Sequence, residues 1–138
     1  MSITFSRASK AQIKVRMALA GVSGSGKTLT ALKIATALSD GKPFAVIDTE
    51  HGRAQLYTEE PGVGAFDTLS LGAPFSPDRY IACLRAAEQA GYGAVVTDSG
   101  SHEWFGEGGI LDIVDAAARN IKGNSYMAWK TGTPVHQK

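Results

Sequence analysis

"GVSGSGKT", residues 21–28, fits the pattern G-x-x-x-x-G-K-[ST] at every specified position and adds a glycine in the middle. Each residue type in it has a physical task. Gly21, Gly24 and Gly26 let the chain take positive φ and approach a ligand with no Cβ in the way. The backbone N–H groups of Gly21, Val22, Ser23, Gly24, Ser25 and Gly26 can then converge on a β-phosphate. Lys27 would set a point charge between the β- and γ-phosphates, and Thr28 offers a hydroxyl to Mg²⁺. Leu29 follows in the first turn of a helix whose positive dipole end faces the same anion. Residues 21–29 are therefore the candidate nucleotide-binding stretch, with ATP and Mg²⁺ as the ligands this pattern fits.

Such a loop works only between a strand and a helix. "IKVRMALA", 13–20, is expected to be a buried strand with Val15, Met17 and Leu19 on one face. "KTLTALKIATALSDG" carries Leu32, Ala35 and Leu38 at helical spacing and ends at Gly41. Downstream, "PFAVIDTE" reads as a strand ending near Asp48, and "FDTLSL", 66–71, as an edge strand. A helix with Ser76 as N-cap, Pro77 at its first position and Gly91 past its end comes next. "AVVTDS", 94–99, is the following strand, and "GILDIVDAAARNIKG" a helix with Ile110, Val114, Ala117 and Ile121 in one stripe. Strands alternating with helices imply an α/β fold, a parallel sheet with helices on both faces, in one domain spanning 1–138.

Composition narrows the field. The 138 residues are 43% hydrophobic and 20% charged, as in an ordinary globular protein. With 14 basic and 13 acidic residues the net charge is +1, which supplies no electrostatic footprint for nucleic acid. The single cysteine, Cys83, excludes an internal disulfide, and its helical spacing with Tyr80 or Ile81, Leu84 and Ala87 reads as a buried thiol. "MSITFSRASKAQ" lacks the apolar centre of a signal peptide, and no apolar run approaches 18 residues. A cytoplasmic protein with no membrane partner is the expectation.

In open parallel sheets ligands bind at the carboxyl ends of the strands, which singles out three carboxylates. Asp98 ends "AVVTD", where it can reach a metal held by Thr28. Asp48 and Glu50 end "AVIDTE" at the same edge; positioning is the task expected of Asp48. His51, His102 and His136 stand singly without metal-ligand spacing, and Trp104 and Trp129 read as packing residues.

"GVSGSGKT", "AVIDTEHG", "YGAVVTDSGSHEW" and "AWKTGTP" together resemble the phage-encoded RecA-like ATPases associated with recombination and single-strand annealing, from about residue 11 to 136. That resemblance implies a RecA-like P-loop core, ATP hydrolysis with Glu50 activating the water and Lys27 assisting, and Asp98 beside Mg²⁺. It also implies single-stranded DNA or a recombination protein as partner, homo-oligomer assembly and a bacterial host cytoplasm. Two departures stand out. Gly132 is an addition to the expected Trp-x-x-Thr-Pro pattern, and the family continues into a further strand and a basic segment, so a C-terminally truncated core is expected.

In that family the strand after the Asp98 position inserts between the P-loop strand and its own predecessor. Residues after 98 read as helix, or carry Gly132 and Pro134, so the sheet should either close up or leave a gap there. Two other functions remain open: a small P-loop kinase, although only Arg79, Arg85 and Arg119 are available in the later half for a lid, and a binding module gated by nucleotide with little turnover.

Overall fold

The computed structural model describes residues 14–121 and 125–137. Its sheet has three parallel strands in the order β2-β1-β3, with β1 at Phe44–Asp48, β2 at Phe66–Ser70 and β3 at Val95–Asp98. All five residues of the central strand are buried, which is why "FAVID" reads as a continuous apolar run instead of alternating. The edge strand β2 is largely exposed, as its polar composition implies.

Helices cover both faces, as the alternation of elements predicted. On one face α1, Lys27–Leu38, buries Leu32 and Ala35 against Phe44 and Val46, with Phe66 stacked on Phe44 at 5.4 Å. On the other, α2, Pro77–Gln89, sets Tyr80 beside Ile47 and Leu71, with Val95 and Cys83 packed around them. Cys83 is thus half-buried and not fully enclosed. Ser76 occupies the N-cap in extended conformation but makes no side-chain cap bond; Pro77, fixed near helical φ, starts the helix. Leu84 is exposed; of its stripe only Tyr80 and Ala87 are buried.

The last third is helical. A short α3, Ser101–Phe105, leads into α4, Ile110–Asn120, which packs on α5, Ser125–His136, through Ile110, Val114 and Ala128. Residues 122–124, which include part of "GILDIVDAAARNIKG", lie outside the described residues. Ile121 falls just past the helix end and is partly exposed, so the stripe is carried by Ile110 and Val114. The extra Gly132 has a place in this hairpin: a Cβ there would collide with Val114 Cγ2, so the glycine lets α5 approach α4 closely. Trp104 and Trp129 stack on each other at 5.9 Å, in packing between α3 and α5. Among the described residues no helix is long and apolar enough to cross a membrane.

One expectation is corrected. Ile13 lies outside the described residues, and residues 14–20 form no strand. They run past the outer edge of β3 at a distance, leaving a cavity of about 670 Å³ walled by Val15, Met17 and Leu19 on one side and β3 on the other. Leu38 of α1 looks into the same space and is 51% exposed, against the expectation that it would join Leu32 and Ala35 in the core. Alternation supplies two faces, but a strand also needs a partner edge about 4.8 Å away, and among the described residues 14–20 pair with none.

Candidate functional site

The glycine-rich loop at 21–28 turns at Gly24 (φ 78°) and Gly26 (φ 84°), both in the left-handed region that favours glycine. Ser25 N–H donates to Val22 O at 3.2 Å, and Thr30 N–H to Gly26 O at 2.9 Å, closing the loop and opening α1. Lys27 Nζ folds back to donate to Gly21 O and Val22 O, each at 2.7 Å, so the ammonium sits under the loop it belongs to. No acidic residue belongs to the first turn of α1 itself. Ser23 is exposed beside Gly24, and Leu29 is half-buried one residue after Thr28.

The carboxylate half is organised by strand register. Asp48 pairs with Asp98 across β1 and β3, so both strands end at one level and deliver their following residues to one edge. There Thr28 Oγ1 donates to Asp98 Oδ2 at 2.8 Å, joining residues 70 positions apart. Sequence reasoning named both residues, and the fold brings them into contact. Their oxygens are the hard donors Mg²⁺ takes through one or two protein ligands, the remainder being phosphate and water. The donor set therefore fits that ion.

Residues 13–134 match the family model described as an AAA domain. The chain belongs to the AAA domain family. Neither a curated protein nor a solved structure matches it. The AAA domain is a P-loop, nucleotide-binding α/β module, and the matched span contains the loop at 21–28 and the carboxylates of Asp48, Glu50 and Asp98.

Asp48 has a different task from its neighbours in this AAA domain. Only 2% exposed, it accepts Glu50 N–H at 2.7 Å on Oδ1 and Gly52 N–H at 2.6 Å on Oδ2. Those bonds hold the turn in which His51 (φ 57°) and Gly52 (φ 89°) take left-handed conformations. The turn aims Glu50 along the sheet edge, where Oε1 accepts Ser99 Oγ at 3.4 Å and Oε2 lies 3.9 Å from Arg53 Nη1.

Around Glu50 lies a polar network that sequence reasoning missed. Thr49, 2% exposed, accepts Ser99 N–H at 2.8 Å on Oγ1, which also lies 2.8 Å from His102 Nδ1. Tyr80 donates its hydroxyl to Ser99 O at 3.1 Å; burial pushes the phenol pKa up, so it remains a donor. Ser99 Oγ and Ser101 Oγ are 2.6 Å apart. The signal available was that Thr49 and Ser99 each follow the last residue of adjacent strands, which makes them neighbours once register is known.

Proposed function

We propose that this AAA domain is a Mg²⁺-dependent ATPase. The observation that carries the reading is the 2.8 Å contact between Thr28 and Asp98, which puts the hydroxyl of the phosphate loop and the terminal carboxylate of β3 at one point. Lys27 exchanges its loop carbonyls for β- and γ-phosphate oxygens, and the N–H groups of residues 21–26 surround the β-phosphate. Thr28 and Asp98 would hold Mg²⁺, which when bound would neutralise charge on the phosphates. Glu50 accepts a proton from water as its oxygen attacks the γ-phosphorus, and the bond to the bridging oxygen breaks to leave ADP and phosphate.

The resemblance to recombination-associated, phage-encoded RecA-like ATPases supports coupling of this cycle to single-stranded DNA or a recombination protein, in a homo-oligomer within a bacterial host. The net charge of +1 adds no support for DNA, so the partner rests on that resemblance alone.

Phosphate release from Mg²⁺-ATP, with and without single-stranded DNA, tests the reading. Metal-dependent release that DNA accelerates and Asp98→Asn removes is the expected result. Tight ATP binding without release would replace the ATPase with a nucleotide-gated module, and phosphate transfer to an added nucleoside would replace it with a kinase. Absence of ATP binding by calorimetry would overturn the site altogether.

A further inference from the structure

The last backbone bond between β1 and β3 is Thr49 N–H to Asp98 O at 2.8 Å. Beyond it the two chains separate, Glu50 into its turn and Ser99 toward α3. What joins them past the ladder is side-chain chemistry, and it converges on one imidazole.

Thr49 Oγ1 has one proton and two lone pairs. Ser99 N–H fills one lone pair at 2.8 Å, and Ser99 O lies 3.2 Å away as an acceptor for the proton. His102 Nδ1 is 2.8 Å from the same oxygen. Two arrangements satisfy every group: Nδ1–H donates to Thr49 while Thr49 donates to Ser99 O, or Thr49 donates to an unprotonated Nδ1 while Ser99 O keeps the Tyr80 hydroxyl; in both, Ser99 N–H donates to Thr49 and Thr49 is bonded to the ring. The ring is held in place from outside: Phe75 stacks on it at 4.9 Å and 23°, and Phe105 meets it edge-on at 6.2 Å. The same Nδ1 is 3.5 Å from Ser99 Oγ, which in turn reaches Glu50 Oε1. Neither other histidine is so placed: His51 forms the exposed turn, and His136 pairs with Glu103 at 3.5 Å.

We infer that His102 is a positioning residue. Through Thr49 and Ser99 it pins the ends of β1 and β3 together and sets the spacing between the Glu50 and Asp98 carboxylates. This rests on the ATPase reading, in which those two groups act on the water and on the metal. Nucleotide affinity is supplied mainly by the loop and Lys27, so the pin should govern kcat and leave KM nearly unchanged.

Two substitutions separate the hydrogen bond from the ring. His102→Phe keeps an aromatic stack on Phe75 and removes Nδ1; His102→Asn puts an amide near the Nδ1 position and removes the stack. The Phe variant should lose about 10²-fold in kcat, the scale on which small misplacements of reacting groups act, with KM for Mg²⁺-ATP changed by less than about threefold. The Asn variant should recover most of that loss. A purely structural ring would give the reverse order, with Phe near parental and Asn impaired, and that result would overturn the inference. Thr49→Val provides an independent route to the same pin, and carries the test by itself if the Phe variant does not fold. It should lower kcat to a similar extent, and the double variant Thr49→Val/His102→Phe should be no slower than either single one. Additive losses would overturn the inference, because residues acting as one unit are not additive. Turnover by the parent together with parental kcat in these variants removes the positioning role alone, whereas a parent that binds ATP and releases no phosphate removes the ATPase reading with it.

Discussion

The two halves of the site are built on different length scales. In the phosphate loop the holding contacts are local: Lys27 reaches back five and six residues, and Ser25 three, while residues 21–26 remain exposed. In the carboxylate half, Thr49 and Glu50 bond to Ser99 across 50 and 49 residues, over a buried strand. Thr28 to Asp98 is the bond that joins the halves. On the proposed reading, geometry for holding phosphate is a local property of eight residues, whereas geometry for acting on it belongs to the register of the sheet. Substitutions in the first half should change binding with little effect on folding; those in the second should change rate or stability with little effect on binding.

The largest expected effect is on rate. Glu50→Gln should slow phosphate release by about 10²- to 10⁴-fold while ATP affinity, read by calorimetry, stays within a few-fold of the parent. Release at the parental rate would transfer the role of base to another group at the same edge. Lys27→Ala should weaken ATP binding by roughly 10²-fold, the equivalent of about two charge-assisted hydrogen bonds, with no comparable fall in urea stability. Unchanged affinity would count decisively against the phosphate-loop reading. A marked loss of stability would mean that the ammonium's bonds to Gly21 O and Val22 O support more than the loop.

Asp48→Ala should reverse that pattern. It strips two N–H groups of their acceptor beside a buried strand, and urea unfolding should show a loss of roughly 3 kcal/mol. Turnover should fall as the turn releases Glu50. A stable variant with intact kcat would show that His51 and Gly52 hold the turn unaided. The smallest effect belongs to the α4 and α5 hairpin, remote from both halves. Gly132→Ala pushes a methyl into Val114 and should cost about 1 to 3 kcal/mol, leaving ATP affinity at the parental value. A change in affinity there would tie the hairpin to the site.

How legible each part was follows the same division. The octet at 21–28, α1, β1, α2 and β3 could be read along the chain, because short-range patterns of apolar spacing, caps and glycines encode them. The strand expected over 13–20 failed on a long-range requirement: Val15, Met17 and Leu19 alternate correctly, yet the edge they needed lies across a cavity. Asp48 and Glu50 stand at one strand end in sequence, with positioning expected of Asp48 and the role of base implied for Glu50 by the resemblance. Burial and two N–H bonds made the first a turn former, and a position at the edge beside Ser99 left the second accessible.

The sequence by itself determined the chemistry available to this protein: a loop able to surround phosphate, a lysine and a threonine at its end, and carboxylates at the ends of two apolar strands. Only the tertiary structure decided which of these meet. Pairing Asp48 with Asp98 in register brought Thr49 beside Ser99 and His102 and placed Asp98 against Thr28. The physical reason is that residue types and their periodicities act over a few neighbours along the chain. The alignment of two parallel strands is instead selected by the burial of β1 between α1 and α2, a constraint spread over the whole sheet.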